Sequence, residues 1–204
     1  MKEEQDYIKD IAEMRSMMER SSKFLSLSGL AGVMAGIYAL AGAWIAWRFF
    51  DFNPAEILFS TPDTENLFNV ILVAAAVLIL AVGTAIFLSW KKAAKRHEKF
   101  WNAISKRVLV SMAVPLVAGG LLILLLISKG LIGLIAPFTL IFYGLALFNT
   151  SKFTYGEVKS LGLIQIVLGL IGAWFVAYGL ICWAIGFGIV HIIYGIYIHY
   201  RYER

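Results

Sequence analysis

The sequence predicts an all-α polytopic membrane protein that crosses the bilayer six times. Of its 204 residues, 60% are hydrophobic and 15% are charged, whereas a soluble domain carries about a quarter charged residues. Several apolar runs reach the length of about 20 residues that a spanning helix needs. Because basic residues cluster between these runs, we expect six transmembrane helices in three hairpins.

These apolar runs divide the chain into two predicted domains. Residues 1–23 form an amphipathic cytoplasmic helix, in which Ile8, Ile11 and Met14 recur at helical spacing among charged residues. This helix is expected to lie on the membrane surface or to pack under the bundle, or else to serve dimerisation or partner docking. Residues 24–204 form the six-helix transmembrane domain, with spans predicted over residues 24–47, 67–90, 108–128, 131–149, 160–178 and 182–200.

The distribution of basic residues predicts the orientation of the chain. In the six-span arrangement, 16 of the 18 Lys and Arg residues fall on one side, and that side is the cytoplasm in bacterial inner membranes. Both termini are therefore expected in the cytoplasm, and no nucleic acid is expected as a partner. The basic stretch after the second span predicts contact with anionic lipid headgroups through Lys91, Lys92, Lys95, Arg96, Lys99, Lys106 and Arg107.

Small residues along the first span predict close helix packing. They recur every four residues or lie beside those that do, and they are Ser28, Ala31, Gly32, Ala35, Gly36, Ala39 and Ala43. Small side chains on one face let a second helix approach closely, which matters in lipid because no hydrophobic force drives the helices together. The sequence leaves open whether this face is the packing centre of the bundle or the contact surface of a dimer.

Two prolines and one deep histidine mark a candidate cavity between spans three and six. Pro115 and Pro137 are each expected to kink a helix near the middle of the membrane. His191 is the deep ionisable residue, with Gln165, Thr139, Tyr143 and Tyr194 as its candidate partners. Either these residues line a substrate pathway, or His191 is a neutral side chain hydrogen-bonded between helices.

Turn residues between the later spans suggest how the helices connect. Lys129 and Gly130 predict a tight outer turn between spans three and four. The turn between spans five and six is expected near residues 178–183, with Gly179 in an unusual backbone conformation.

No metal, cofactor or catalytic residue is indicated by the sequence. The single cysteine, Cys182, excludes an internal disulfide and a cysteine-rich metal site. Haem is disfavoured because His191 has no second deep histidine. An intramembrane hydrolase would need Ser28 within hydrogen-bond reach of His191.

One resemblance involves residues 17–32, MMERSSKFLSLSGLAG. This stretch resembles the opening of a group of uncharacterised bacterial multi-pass inner-membrane proteins of similar size, which have no assigned activity. The resemblance implies a bacterial inner membrane and implies no mechanism.

The sequence therefore favours a non-enzymatic integral membrane protein that acts through self-association or partner binding. The alternative is a small transporter or channel with a cavity between spans three and six. Intramembrane hydrolysis is the third hypothesis, and the distance between Ser28 and His191 tests it.

Overall fold

The computed structural model describes residues 28–54, 64–95 and 101–203, and the predicted N-terminal helix over residues 1–23 lies outside them. The described residues form long helices joined by short turns, and no strand occurs within these ranges. We label the helices α1 (Gly29–Phe49), α2 (Thr64–Lys95), α3 (Ala103–Ser128), α4 (Ile135–Thr150), α5 (Glu157–Trp174), α6 (Gly179–Trp183) and α7 (His191–Tyr202). A π-helical segment, Ala184–Val190, joins α6 to α7, and 3-10 turns occupy Ile132–Leu134, Ser151–Phe153 and Val176–Tyr178.

Six of the helical stretches are long and apolar enough to cross a membrane, as expected of a multi-pass membrane protein. The sixth is the continuous run from Val176 to Tyr202. The helices extend beyond several predicted spans: α2 continues to Lys95 and α3 begins at Ala103. These extra turns carry charged residues. They are therefore expected to extend from the apolar part of the membrane into the headgroup region.

Helices α1, α4, α5 and α7 form most of the core. Helix α1 packs against α2 and α7, α4 packs against α3 and α5, and α5 packs against α6. The buried apolar cluster of the core contains Leu147, Tyr155, Val158, Leu161 and Ile198. By contrast, none of the most apolar 18 residues of α2 is buried. Such exposed apolar surface is expected where lipid is the solvent.

Glycines bring α1 and α7 into backbone contact. A Cβ added to Gly29 would lie 2.5 Å from the Gly195 carbonyl oxygen, and one on Gly32 would lie 3.2 Å from the Gly195 Cα. A Cβ on Gly36 would lie 2.6 Å from the Gly188 carbonyl oxygen in the π-helical segment. The small-residue face of the first span therefore packs within the chain, against the sixth span.

The remaining small residues of that face are buried to different degrees. Ala31, Ala39 and Ala43 are buried, whereas Ser28 and Ala35 are partly buried. The sequence left open an internal packing centre or a dimer surface, and the structure uses this face for internal packing.

A second glycine contact, which the sequence reading missed, joins α4 and α5. A Cβ on Gly144 would lie 2.6 Å from the Gly162 carbonyl oxygen, and one on Gly162 would lie 2.7 Å from the Gly144 carbonyl oxygen. Further along α5, a Cβ on Gly169 would lie 2.8 Å from the carbonyl oxygen of Pro137. Gly144 and Gly162 belong to different spans, so no local spacing pattern predicts that they meet.

Pro115 lies inside α3 as predicted, and a side chain of α4 compensates for its missing N–H. A proline in a helix leaves the carbonyl four residues earlier without its helical donor. Here that carbonyl belongs to Ser111, and the Asn149 side-chain amide donates a hydrogen bond to it over 2.8 Å. The proline is therefore accommodated by helix packing.

The predicted kink at Pro137 is wrong. Helix α4 begins at Ile135 after a 3-10 turn, so Pro137 falls in the first helical turn. Backbone N–H groups in that turn have no partner within the helix, and a proline there removes no hydrogen bond. The buried proline ring instead packs close to Gly172 and Gly179.

The structure confirms the predicted turn between the third and fourth spans and corrects the one between the fifth and sixth. Gly130 has φ +72°, and the N–H of Leu131 donates to the Leu126 carbonyl oxygen over 2.9 Å, which ends α3 with a tight turn. The turn between the fifth and sixth spans comes earlier than expected, after Trp174. Gly179 has φ −55° at the cap position, so the expected unusual conformation is wrong and its lack of a side chain serves packing.

We predict that Asn149→Ala destabilises the protein by about 0.5–1 kcal/mol, because the Ser111 carbonyl loses its donor. In a Pro115→Ala background the same substitution should cost less, since an alanine at this position supplies a backbone N–H. Unfolding in mixed detergent micelles measures all four proteins of this cycle. Equal costs in both backgrounds would show that the two sites are independent.

We also predict that Gly36→Ala destabilises the protein by about 1–3 kcal/mol, because its Cβ would overlap the sixth span. Gly120→Ala is the matched control, since a Cβ there meets no atom within 4 Å. The control substitution should leave stability unchanged or raise it by up to about 1 kcal/mol through helix propensity. Thermal unfolding in detergent compares the two variants, and equal effects would contradict the close contact.

Candidate functional site

Three side chains and one backbone carbonyl form a polar cluster inside the core, which we call the His191 cluster. The Tyr143 hydroxyl lies 3.1 Å from Nε2 of His191. Nδ1 of His191 lies 2.8 Å from the Gly186 carbonyl oxygen. The Gln165 side-chain amide donates to the same carbonyl over 2.8 Å. The cluster thus joins α4, α5, the π-helical segment and α7.

The partners of His191 determine where a neutral ring carries its proton. A carbonyl oxygen can only accept, so Nδ1 must donate its hydrogen to Gly186. Nε2 is then an acceptor and receives the hydrogen of the Tyr143 hydroxyl. The Gly186 oxygen has two lone pairs and accepts from both His191 and Gln165, which also explains why the Gln165 nitrogen lies 3.2 Å from Nδ1 without a bond between them.

Aromatic rings enclose one side of this cluster. The rings of Phe187 and His191 are stacked with centroids 5.7 Å apart, and Tyr143 lies 5.1 Å from Phe187. Trp183 continues the row at 5.1 Å from Phe187. The π-helical segment places these residues, because its wider turn changes the angular offset between side chains on either side of it. His191 is 5% exposed and Gln165 is fully buried.

Two buried oxygens of the predicted lining lack a hydrogen-bond partner within the described part of the chain. They are Oε1 of Gln165 and the hydroxyl of Tyr194. Such atoms carry an energetic cost, larger in lipid than at a wet surface. Thr139, predicted to face His191, instead donates to the Ala136 carbonyl oxygen of its own helix over 2.6 Å. The structure therefore brings together His191, Gln165 and Tyr143 from the predicted lining.

The His191 cluster is organised as a hydrogen-bonded helix contact. Both ring nitrogens of His191 are occupied, and no carboxylate within the described residues joins the cluster to orient the ring for base catalysis. Ser28 precedes Gly29, which packs beside His199. Because His199 lies eight residues, or about 12 Å of helix, beyond His191, this arrangement gives no support to a Ser28–His191 pair.

A second polar cluster lies at the end of the bundle where α1 begins, which we call the inner end because it is predicted to face the cytoplasm. One carboxylate, Glu203, organises it. Its Oε1 accepts from the backbone N–H of Gly29 over 2.7 Å and from Nζ of Lys92 over 2.9 Å. Its Oε2 accepts from Nδ1 of His199 over 2.6 Å. We call these four residues the Glu203 cluster.

The partners of Glu203 come from three different helices. Gly29 opens α1, where Ser28 provides no side-chain cap, so Glu203 supplies an acceptor to a helix start that needs one. Lys92 belongs to the last turn of α2, and His199 belongs to the last turn of α7. A single carboxylate therefore connects the first, second and sixth spans.

Neighbouring residues extend the cluster to α5. Nζ of Lys92 also donates to the Tyr155 hydroxyl over 3.3 Å, and the ring of Tyr155 lies 4.3 Å from that of Tyr202. The Tyr202 hydroxyl donates to Oε1 of Glu157 over 2.9 Å, and Arg201 forms an ion pair with the same oxygen at 2.9 Å. These charges at the inner end are thus paired across helices.

The ionisation of Glu203 reflects two opposing effects. Burial raises the pKa of this carboxyl group, but hydrogen bonds from His199, Gly29 and Lys92, with the positive charge of Lys92, outweigh burial. The pKa of Glu203 is consequently lower than its ordinary value. The cluster therefore holds an ionised carboxylate at neutral pH.

The basic stretch is divided between two environments. Lys91, Lys95, Lys106 and Arg107 are exposed at the inner end, as expected for contact with lipid headgroups. Lys92 differs, because its side chain is 12% exposed and pairs with Glu203. The other two predicted members, Arg96 and Lys99, lie outside the described residues.

A groove of about 850 Å³ lies at the opposite end of the bundle. It is lined mainly by the ends of α1 and α6, including Trp44, Trp47 and Leu180, with Asp51 as its acidic residue. Neither proline of the predicted cavity nor His191 contributes to this groove. Among the described residues, no group of three or more His, Cys, Asp or Glu side chains is placed to hold a metal ion.

The sequence reading missed the role of Glu203. The spacing of His199 and Glu203 at i and i+4 in the last helical turn was a local signal for their pairing. Nothing local indicated that Gly29 or Lys92 would join them, because these contacts span 174 and 111 residues of sequence.

We predict that His191 is a neutral ring protonated on Nδ1. Unpaired charge is costly at this depth, and the Gly186 carbonyl requires a donor. Nitrogen-15 spectra of histidine-labelled protein in lipid identify the protonated nitrogen, with His191→Gln assigning the signal. Tyr143→Phe should shift the Nε2 resonance and leave the proton on Nδ1. A proton on Nε2 alone would contradict the geometry.

Comparisons with known proteins do not assign this chain to a family. No protein-family model, no curated protein and no solved structure matches it. A functional assignment must therefore rest on the contacts, burial and charges of the chain itself.

Proposed function

We propose that the protein is a non-enzymatic integral membrane protein that acts by association within the bilayer, with α2 as its contact helix. Self-association is the form of this proposal that can be tested with the chain alone. The observation that carries it is the position of α2, which packs on the core through α1 and buries none of its most apolar 18 residues.

The exposed side of α2 carries a glycine without a close contact, a property that it shares with Gly120 of α3. Gly32, Gly36, Gly144 and Gly162 all lie in close helix contacts, whereas a Cβ on Gly83 would meet no atom within 4 Å. Glycine costs about 1 kcal/mol relative to alanine in a helix. In the four close contacts, tight helix packing offsets this cost. Within the described part of one chain nothing offsets it for the exposed Gly83 of α2, but close approach of another helix would.

Ala76 lies two helical turns before Gly83 and is also exposed. The two residues therefore present small side chains on the same side of α2. We assign the role of contact surface to this face of α2. The small residues of the first span, which were the other candidates for that role, pack against the sixth span.

Transport has less support from the described residues. A pathway near Pro115, Pro137, Gln165 and His191 needs a polar cavity, yet His191 and Gln165 are packed and Pro137 is buried against α5 and α6. Catalysis has less support because both His191 nitrogens are engaged with Tyr143 and Gly186.

The proposal includes the placement of the chain in the membrane. We infer three hairpins in a bacterial inner membrane, both termini in the cytoplasm and an amphipathic helix before the first span. The asymmetric distribution of Lys and Arg supports this orientation. Exposed Lys91, Lys95 and Arg107 at the inner end would then meet anionic headgroups.

Energy transfer between donor- and acceptor-labelled copies in liposomes tests the association. We expect transfer that falls when unlabelled wild-type protein is added, and that falls toward the random-mixing level in Gly83→Leu. The bulky side chain should block close approach of α2 without disturbing the monomer, because the site faces open space.

The matched control is Gly120→Leu, which changes a second uncontacted glycine on α3. This variant should associate like the wild type. A wild-type protein at the random-mixing level, or equal losses in the two variants, would contradict association through α2.

A further inference from the structure

Within the described part of the chain, helix α2 packs mainly on α1, and Ser89 and Ala93 near its inner end are buried. Its contacts with α1 include close packing, since a Cβ on Gly42 would lie 2.6 Å from the Val77 side chain, and one hydrogen bond between the Tyr38 and Thr84 hydroxyls at 3.4 Å. In lipid, such apolar contacts gain nothing from the hydrophobic effect, since lipid surrounds both states. Close packing and polar contacts hold helices together in lipid instead, so an ion pair at the inner end of α2 contributes directly to its position.

That ion pair is formed by Lys92. Its ammonium group donates to Glu203 over 2.9 Å and to the Tyr155 hydroxyl over 3.3 Å. Glu203 is in turn fixed by the Gly29 N–H and by His199, so the acceptor that holds α2 belongs to the structure formed by α1 and α7.

We propose that Glu203 is a charge-operated latch, which holds the inner end of α2 against the core when ionised and releases it when neutral. This role rests on the proposed function, because the latch would control how α2 presents the contact face through which the protein associates. The position of α2 itself can be measured on single copies. Failure of the latch is thus distinguishable from failure of association.

Charged and titratable groups from every neighbouring described element bear on the latch. Lys92 from α2 and His199 from α7 contact the carboxylate directly. Tyr155 contacts Lys92, while Glu157, Arg201 and Tyr202 form the adjoining ion pair and hydrogen bond. With the Gly29 N–H, three donors converge on the one carboxyl group whose protonation would weaken all three contacts at once.

The sign of the pH dependence follows from the lowered pKa of Glu203. A carboxyl group whose pKa is lower in the folded protein contributes stability above its unfolded pKa. That contribution is lost as pH falls through the folded pKa. Release of α2 is therefore expected under acid conditions and not near neutral pH.

The expected displacement can be estimated from the geometry of the helix. Helix α2 has 32 residues and is therefore about 48 Å long, so a tilt of about 10° about its outer end moves its inner end by about 8 Å. A change of this size is measurable between two spin labels.

The experiment measures spin-label distances by double electron–electron resonance, in lipid nanodiscs that each hold one copy. Cysteines are introduced at exposed positions in a Cys182→Ala background. The inner pair is Ala94→Cys with Gly156→Cys, and the outer pair is Asn66→Cys with Phe175→Cys.

We expect Glu203→Gln and Lys92→Met to lengthen and broaden the inner distance by several ångströms at neutral pH, while the outer distance stays at its wild-type value. Lys95→Met, an exposed lysine in the same helical turn, is the matched control and should behave as wild type. Unchanged inner distances in the first two variants, or an equal change in Lys95→Met or in the outer pair, would overturn the latch.

The wild-type protein provides a test that needs no substitution in the cluster. Its inner distance should lengthen as pH falls through the lowered pKa of Glu203, and Glu203→Gln should show no further change over that range. A wild-type distance that stays constant until the bundle unfolds would also overturn the proposal.

Discussion

The fold depends on a constraint that lipid imposes: apolar surfaces gain little by leaving lipid for another helix. Close backbone approach and interhelical hydrogen bonds must supply the attraction instead. The structure uses both, with Gly29, Gly32 and Gly36 against the sixth span and Gly144 against Gly162. Where these devices are sparse, as along α2, an apolar helix remains at the edge of the bundle.

The two polar clusters follow from the same constraint. Each joins helices that are distant in sequence and leaves its hydrogen-bonding groups mostly satisfied. The His191 cluster links α4, α5 and α7 without a charged partner among the described residues, whereas the Glu203 cluster uses ionised groups at the inner end, where water and headgroups reduce their cost. Depth in the membrane thus accounts for the difference in chemistry between the clusters.

The sequence predicted the parts of this structure that arise from composition and local pattern. Six apolar runs, the turn at Gly130 and the packing role of Gly32 and Gly36 could be inferred in this way. The sequence also named His191, Gln165 and Tyr143 as partners, because polar residues within an apolar span need one another. The kink at Pro137 was wrong because a helix start shifted by a few residues changes what a proline does.

Other features depend on contacts that no local pattern contains. Glu203 reaches Gly29 and Lys92 across most of the chain. Asn149 compensates for Pro115 through a carbonyl on a neighbouring helix.

Labelling from the two sides of sealed vesicles tests the six-span account most directly, with single cysteines replacing Gly156 and Phe175 at opposite ends of α5. The account predicts that an impermeant reagent reaches Gly156→Cys from the cytoplasmic side and Phe175→Cys from the other, and labelling of both from one side would contradict it.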